Sequence, residues 1–332
     1  MSVVMAATQW EIAAPKLITL LVGLLVFTAL IALAFVIGEK LSTRLQGGAR
    51  FAVFLGPALL LLFIGLIAPT VRTLYLSFFN ANGSRFLGFE NYVWAFTQPE
   101  IRTVLRNTLI WVVIAPIGST VLGLAIAVLT DRMKRPAVVK SLIFMPMAIS
   151  FVGAGIIWKF VYTYSPNQFA AEIGLLSQIT RWLGFTPTNW LLTAPLNTIL
   201  LIVVMIWVQT GFAMVVLSAA IKAIPEEVLE ASLLDGASGW VRFRSVTVPM
   251  IRGTIVVVLS TITIATLKVF DIIRTMTGGN FKTSVIANEM YQQSFRALNY
   301  GTGSALAVIL FLGVLPLVAY NVRTIRRERT QN

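Results

Sequence analysis

The polar side chains that could do chemistry stand inside two runs of apolar residues. The run 251–276 carries Ser260, Thr263, Lys268, Asp271 and Arg274. At about 100° per residue, four of these side chains share one narrow face of a helix, and Lys268 lies beside that face. Hydroxyl, amide and charged groups within an apolar helix generally face a bundle interior or a water-filled cavity. The pattern therefore predicts a path through the helix bundle that is lined by side chains able to form hydrogen bonds.

The run 196–221 adds a second polar group, the amide of Gln209, which stands between Trp207 and Phe212. Gly211 leaves room there for the close approach of another helix. Simpler interpretations remain open for both runs. Trp207 and Phe212 are typical packing residues, and serine and threonine often bond to their own helix backbone or pack between spans. Lys268 and Asp271 stand three residues apart, a spacing at which opposite charges can simply neutralise each other.

The composition indicates a chain whose solvent is lipid. The 332 residues are 57% hydrophobic and 12% charged, and the mean hydropathy is +0.85. The chain has no cysteine and no histidine, so disulfides, a zinc site and a histidine-based hydrolytic triad are excluded. The net charge of +13 is interpreted as charge on membrane loops rather than as a nucleic-acid surface.

Seven apolar runs are long enough to cross a bilayer, for which about 20 residues are needed. We therefore predict an all-α polytopic membrane bundle of about seven transmembrane helices. The first run begins too late and is too long for a cleaved signal peptide, and we expect it to be retained. The predicted spans are 16–38, 52–79, 104–130, 138–163, 196–221, 251–276 and 302–322.

Lysine and arginine near the span ends predict the orientation. The larger basic clusters lie in the loops near 40–50, 132–140 and 222–252 and in the tail 323–329. This places the C terminus in the cytoplasm and the N terminus outside. The segment 166–190 contains Trp182 and Trp190, and we expect it to lie along the outer interface.

The segment 222–250 concentrates acidic residues on the predicted cytoplasmic side. Pro225 favours a helix start, and Glu226 and Glu227 suit the positive end of that helix. Gly236 and Gly239 allow a sharp turn. These signals predict a short helix, a tight turn and a second short helix, which can dock in a groove of a soluble partner. The simpler interpretation is a solvated amphipathic loop.

One motif in this segment carries a resemblance to a known family. Glu230-Ala231-Ser232, three residues, Gly236, nine residues and Val246-Thr247-Val248-Pro249 resemble the EAA motif of ABC importer permeases. Asp235-Gly236-Ala237 is similar to the common D-G-A of that motif. The resemblance implies that the segment is the coupling helix, which sits in a cleft of a cytoplasmic ATPase. The residues expected to couple to the ATPase are Glu226, Glu227, Glu230, Ala231, Ser232, Asp235, Gly236, Ala237 and Pro249.

Three further stretches resemble permeases of carbohydrate importers. These are Leu87–Tyr92, the stretch from Lys268-Val269-Phe270-Asp271 to Gly278-Gly279-Asn280, and Tyr300–Ala305. The likeness covers about residues 50–325, and maltose or α-glucoside permeases are the nearest subgroup. It implies an N-terminal helix and linker over 1–50, a permease domain with a six-helix core over 51–325, and a cytoplasmic tail over 326–332.

The resemblance also implies partners and a substrate pathway. The expected partners are a second homologous permease, two copies of a cytoplasmic ATPase, an extracytoplasmic sugar-binding protein and membrane lipid, with no nucleic acid. ATP and Mg²⁺ belong to the ATPase subunits, and no cofactor or metal is expected on this chain, which is not itself an enzyme. The expected location is a bacterial or archaeal inner membrane. The expected pathway residues are Trp207, Gln209, Gly211, Phe212, Thr263, Lys268, Phe270 and Asp271.

Two other functions stay open at this point. An ABC importer for another small solute would keep the same coupling segment. An ion-coupled secondary transporter or channel would use Asp271 and Lys268 as intramembrane ion sites and would need no ATPase. A membrane enzyme is disfavoured because the chain lacks histidine, cysteine and clustered intramembrane carboxylates.

Overall fold

A computed structural model of the chain describes residues 14–29, 31–32, 35–36, 55–56, 58–131, 133–165 and 174–331, without the side chains of 317 and 321–331. Helices and their connections make up this part of the chain, which contains no β-strand beyond one isolated bridge between Phe79 and Phe86. The predicted all-α class is confirmed. The basic residues at 40–50, which contribute to the predicted orientation, all lie outside the described residues, as does part of the 166–190 segment.

Fourteen helices are labelled here, in chain order. They are α1 (Ala14–Ala29), α2 (Ala58–Leu76), α3 (Glu90–Thr97), α4 (Pro99–Asp131), α5 (Pro136–Phe144), α6 (Phe151–Val161), α7 (Leu175–Trp182), α8 (Leu196–Lys222), α9 (Glu226–Leu234), α10 (Gly239–Arg242), α11 (Arg252–Leu267), α12 (Asp271–Met276), α13 (Ile286–Tyr291) and α14 (Tyr300–Gln331). A 3₁₀ turn, Met145–Ala148, continues α5, and π-helical stretches Phe243–Thr247 and Gln292–Arg296 continue α10 and α13.

The chain divides into two units, Met1–Arg72 and Thr73–Asn332. The first unit holds α1 and most of α2, and its described apolar side chains are almost all exposed. An exposed apolar surface of this kind is expected where lipid or another subunit covers it. The second unit holds a packed core, and the candidate site lies within it.

The core of the second unit forms where α4 and α8 pack along each other. Trp111 on α4 and Leu201 and Met205 on α8 are fully buried there. A Cβ at Gly123 of α4 would lie 2.8 Å from the backbone nitrogen of Met214, so glycine allows the two helices their close approach. Helices α6, α11 and α12 pack around this pair. The core thus fixes the position of α8, whose C terminus leads directly into the acidic segment.

Four helices in the described residues are long and apolar enough to span a membrane, namely α2, α4, α8 and the Tyr300–Tyr320 part of α14. Two further pairs of helices pass the same test together but are bent. Pro136–Ala148 and Phe151–Val161 meet at 103°, and Gly239–Met250 and Arg252–Leu267 meet at 70°. Helix α1, which corresponds to the first predicted span, is shorter than a full span over its described residues.

The predicted span 251–276 was wrong as one continuous helix. Helix α11 ends at Leu267, Lys268 to Phe270 are not helical, and α12 begins again at Asp271. The predicted single face of Ser260, Thr263, Asp271 and Arg274 therefore does not exist, because the 100° repeat is interrupted between its two halves. The local sequence does not predict the break, since no proline or glycine lies between Ser260 and Arg274.

The end of the bundle opposite α9 is called the far end here. Two of the stretches that resemble carbohydrate permeases, Leu87–Tyr92 and Tyr300–Ala305, meet at this end. Asn91 donates from its amide to the carbonyls of Ser77 and Phe79, at 2.9 and 2.8 Å. The backbone nitrogen of Tyr300 donates to Ala81 at 2.9 Å, and Gly301 packs directly on the backbone of Phe79. These contacts therefore join the turn that follows α2 to the start of α14.

Candidate functional site

The acidic segment folds as the predicted helix, turn and second helix. Pro225 precedes the first helical residue, Glu226, so it caps α9 rather than occupying its first position. Helix α9 ends in a Schellman motif: Ala237 N–H donates to the carbonyl of Ser232, and Gly236 N–H donates to that of Leu233, both at 3.0 Å. Gly236 has φ +73°, a conformation that glycine adopts without strain.

The second helix of this segment begins at a serine cap. Ser238 accepts a hydrogen bond on its side-chain oxygen from the backbone nitrogen of Val241, at 3.4 Å. Gly239 is the first residue of α10, so its predicted part in the turn was wrong. The turn needs one left-handed residue, which Gly236 supplies, and a cap, which Ser238 supplies. Pro249 lies in a short helical stretch just before the bend at Ile251.

Helix α9 presents most of its surface away from the rest of the described chain. Ser232 is its buried residue, at 7% exposure, and it donates to the carbonyl of Leu229 at 2.6 Å. Leu233 and Leu234 are 55% and 89% exposed. The remaining predicted coupling residues, Glu226, Glu227, Glu230, Ala231, Asp235, Gly236 and Pro249, are exposed, and Ala237 is half-buried. A short, capped helix with exposed leucines suits insertion into a groove of a partner.

A cleft of about 190 Å³ separates this segment from the C-terminal ends of α4 and α8. Leu229 of α9 and Arg242 and Phe243 of the second helix line one side, and Asp131 of α4 lines the other. Leu229 also packs against Ile224 and Ile251 in the core cluster at this end. The segment is thus attached to the bundle by few apolar contacts and by its two chain connections, which suits an element that moves with the spans.

The predicted pathway residues on α8 lie inside the bundle. Gln209 is buried, and Trp207 packs edge-to-face against Trp158 of α6 with ring centroids 5.7 Å apart. A Cβ at Gly211 would lie 2.7 Å from the carbonyl oxygen of Ile143 and 2.8 Å from Cα of Phe144. Glycine therefore lets α8 touch the end of α5. Phe212 is half-buried against the core cluster formed by α4, α8 and α11. The contacts of Trp207 and Phe212 are those of packing residues.

The hydroxyl groups of α11 donate to their own helix. Ser260, Thr263 and Thr266 are buried, and each donates to the carbonyl four residues earlier, at 2.7–2.8 Å. Each hydroxyl oxygen keeps its capacity to accept a hydrogen bond. This arrangement matches the simpler interpretation that these side chains bond to their own helix backbone. Because each hydroxyl proton is already used in such a bond, it is less available for donation to a substrate.

Lys268, Phe270 and Asp271 lie at the break between α11 and α12. Lys268 is exposed and follows the last residue of α11. Among the residues that the structure describes, no ion pair joins Asp271 to Lys268 or to Arg274; the guanidinium of Arg274 lies instead 5.1 Å from the ring centroid of Tyr291. Phe270 packs on the same Tyr291 ring, with centroids 5.1 Å apart. Within the described residues, the break thus presents an ammonium and a carboxylate without ion-pair partners, beside an aromatic cluster.

Two buried asparagines that the sequence reasoning missed position the loop after this break. Asn107 of α4 donates to the carbonyls of Lys282 and Ser284, and Asn197 at the start of α8 donates to that of Phe281, at 2.9 Å. Phe281 and Lys282 have φ values of 55° and 61°. A single asparagine inside an apolar run is the signal that would have found both residues. Within the described residues, no cluster of acidic side chains could hold a metal ion.

Comparison with known proteins identifies the family of the chain. Residues 15–330 match the family described as binding-protein-dependent transport system inner membrane component. The chain is 49% identical over 276 residues to the osmoprotective compounds uptake permease protein GgtC of Synechocystis sp. strain PCC 6803, covering 83% of this chain and 99% of that relative. It is 46% identical over 286 residues to the alpha-glucoside transport system permease protein AglF of Rhizobium meliloti strain 1021, covering 86% of this chain and 85% of that relative.

A third relative and a solved structure extend the comparison. The trehalose/maltose transport system permease protein MalF of Thermococcus litoralis is 31% identical over 281 residues, which cover 82% of this chain and 92% of that relative. The fold is similar to a chain in the crystal structure of a bacterial alginate ABC transporter in complex with an alginate pentasaccharide-bound periplasmic protein. The TM-score is 0.72 at 20% identity, covering 87% of this chain and 96% of that one. The chain therefore belongs to the family of binding-protein-dependent transport system inner membrane components.

Proposed function

We propose that this chain is one permease subunit of an ATP-driven importer of α-glucosides or similar small sugars. The observation that carries the proposal is the capped helix–turn–helix over 225–242, whose Leu233 and Leu234 are 55% and 89% exposed. The names of AglF and MalF, which refer to alpha-glucoside and to trehalose and maltose transport, support sugar as the substrate.

Coupling to ATP would pass through α9. We place α9 in a cleft of a cytoplasmic ATPase subunit, where Glu226, Glu227 and Glu230 face solvent or the partner. The chain contains no G-x-x-x-x-G-K-[ST] phosphate loop, so ATP and Mg²⁺ belong to two separate ATPase subunits. One bundle with one such segment supplies half of a pathway, and a second homologous permease supplies the rest.

Transport would proceed by alternating access. The binding protein delivers sugar at the far end of the bundle, where α8 begins, and ATPase closure at the opposite end moves α9 and the helices that follow it. This assignment places the C terminus in the cytoplasm and the N terminus outside, as the basic clusters predict. Along the path we propose that Gln209, Lys268 and Asp271 offer hydrogen bonds and that Phe270 offers an aromatic face.

The test is uptake of radiolabelled maltose and related α-glucosides by vesicles containing the whole complex, its binding protein and ATP. Leu234→Asp and Glu230→Lys are the test variants, since both positions are exposed and neither change should unfold the chain. We expect both variants to lose ATP-dependent uptake and to retain less ATPase subunit on purification. Glu100→Lys, an equal change of charge in the first turn of α4 at the far end, should leave ATPase association unchanged.

Two results would contradict the proposal. Uptake that continues without the ATPase and follows an ion gradient would establish the ion-coupled alternative. ATP-dependent uptake of another solute class, with no uptake of any α-glucoside, would keep the coupling mechanism and reject the substrate.

A further inference from the structure

A cavity of about 430 Å³ opens at the far end of the bundle, between the end of α6, the loop before α8 and α12. It shares no lining residue with the predicted pathway. Its volume falls within the range of about 300–1,000 Å³ that is usual for small-molecule sites. The lining residues are Ile156, Lys159, Phe160, Tyr162, Thr163, Tyr164, Asn189, Leu191 and Thr275.

The cavity is lined by polar groups that the fold itself does not use. Among the residues that the structure describes, the side chains of Lys159, Tyr164, Asn189 and Thr275 have no hydrogen-bond partner. They combine an ammonium, a phenol, an amide and a hydroxyl, so the set contains both donors and acceptors. A concave surface lined by several residues that carry such groups is typical of a site that orients a polar ligand.

The walls that carry these groups are held firmly in place. The hydroxyl of Tyr162 donates to the carbonyl of Leu200 on α8, at 3.1 Å. The indole nitrogen of Trp190 donates to Ser177, which in turn donates to the carbonyl of Thr163, at 2.8 and 2.9 Å. These bonds tie the end of α6 to α7 and to the loop before α8, so the cavity is largely preformed.

The third wall, α12, is positioned by a glycine of α6. A Cβ at Gly155 would lie 3.2 Å from Cβ and 3.3 Å from Cγ2 of Thr275. The Cβ and Cγ2 atoms of Thr275 therefore pack against α6, while Thr275 also lines the cavity. Replacement of Thr275 by valine keeps this packing and removes the hydroxyl group alone.

The chemistry of the lining favours a neutral ligand with many hydroxyl groups. Lys159 is the single charged residue among the lining residues that the structure describes, so this part of the lining offers neither the several cations expected for a polyanion nor the carboxylate expected for a cation. Hydroxyl groups of a sugar both donate and accept, as do the phenol, amide and hydroxyl of the site. Phe160, which is 64% exposed, adds a flat apolar face of the kind that a sugar ring covers.

We propose that this cavity is a sugar-binding site at the far end of the bundle, which receives the ring from the binding protein before it reaches the residues around Gln209 and Lys268. The site lies beyond the N terminus of α8, whereas the coupling segment follows its C terminus. The 27 residues of α8 put the two ends about 40 Å apart. This inference rests on the proposed function, because it assumes that the transported solute is a sugar.

The test compares wild-type complex with the triple variant Tyr164→Phe/Asn189→Leu/Thr275→Val in vesicles with ATP. We expect the rate of sugar uptake at saturating loaded binding protein to fall roughly tenfold or more, since three hydrogen bonds to the ligand are lost. ATP hydrolysis stimulated by the binding protein should persist, so more ATP is consumed per sugar transported. Thr97→Val, whose hydroxyl donates to its own helix at an exposed site on α3, is the matched control and should behave as wild type.

A second measurement reports occupancy without transport. The chain has no cysteine, so Ile156→Cys places one thiol of this subunit on the cavity wall. Millimolar maltose should slow its labelling by a maleimide, whereas betaine at the same osmolality should not. Labelling of Thr97→Cys should be unaffected by either solute.

Each contrary result has a separate meaning. Uptake and ATP consumption that remain wild-type in the triple variant, or labelling unaffected by sugar, would overturn the site while leaving the proposed function intact. A triple variant in which only the KM for loaded binding protein rises would also overturn the site, because the lining residues would then contact the binding protein and not the sugar. A wild-type complex that transports no α-glucoside would remove both the proposed function and the proposed ligand.

Discussion

Asn107 on α4 donates through its side-chain amide to the backbone carbonyl of Lys282, at 2.7 Å, across 175 residues of chain. The same amide nitrogen also donates to the carbonyl of Ser284, at 3.0 Å. Asn107 is 2% exposed, and its bond to Ser284 is buried, so water does not easily replace the donor at that carbonyl. The loop after α12 contains two non-glycine residues with positive φ, Phe281 and Lys282, and this bond holds it in that conformation.

We therefore expect Asn107→Leu to destabilise the subunit by about 1–3 kcal/mol, because one buried and one part-buried carbonyl lose their donor. Asn107→Asp should be at least as damaging, since an ionised carboxylate has no N–H group to donate. The measurement is the thermal unfolding of the purified complex in detergent. Thr103→Val, at an exposed position of the same helix, is the control. Equal unfolding temperatures for Asn107→Leu and the control would contradict the structural role.

The left-handed turn at Gly236 gives a second prediction. Gly236→Val should cost about 1–2 kcal/mol locally, because a side chain at φ +73° strains the backbone. A Cβ there meets no atom within 4 Å, so contact of the Cβ with the rest of the described chain does not add to this strain. Gly236→Asn should retain more activity, since asparagine tolerates this conformation better. The measurement is ATP hydrolysis stimulated by the loaded binding protein. Equal defects in both variants would argue against a role for the turn conformation.

The contact at Gly211 gives a third prediction. Gly211→Ala should destabilise the bundle by about 1–3 kcal/mol, because the added methyl group meets the backbone of Ile143 and Phe144, which cannot rotate away. Gly313→Ala is the control, since a Cβ at Gly313 of α14 meets nothing within 4 Å and alanine favours a helix. Thermal unfolding and the yield of folded subunit measure both effects. An unchanged Gly211→Ala protein would mean that α5 and α8 can separate at no cost.

Lys268 at the helix break gives the fourth prediction. Because it is exposed and forms no ion pair with Asp271, Lys268→Gln should leave stability unchanged. If the ammonium contacts the substrate, uptake should fall by roughly tenfold, the usual effect of losing one hydrogen bond to a charged group. Thr261→Val, whose hydroxyl donates to its own helix backbone at 2.8 Å, is the control. Uptake unchanged in Lys268→Gln would remove Lys268 from the pathway.

The sequence by itself determined the features that depend on neighbouring residues or on overall composition. Its apolar composition and absence of histidine and cysteine established the membrane class and excluded several chemistries. The helix–turn–helix over 225–242 was predictable because its signals act within a few residues: Pro225 and the glutamates at the start of α9, and Gly236 at its end. The same local motif identified the family, which the comparisons confirm.

The tertiary structure decided the features that join distant parts of the chain. The break at Lys268 separates α11 from α12 although no proline or glycine lies there, and packing of α12 against α6 accompanies it. The amides of Asn107 and Asn197 reach carbonyls 175 and 84 residues away. The cavity at the far end combines Lys159, Asn189 and Thr275 from three separate segments. Local periodicity carries no information about such pairings, because they arise only when the helices pack and bring the remaining polar groups together.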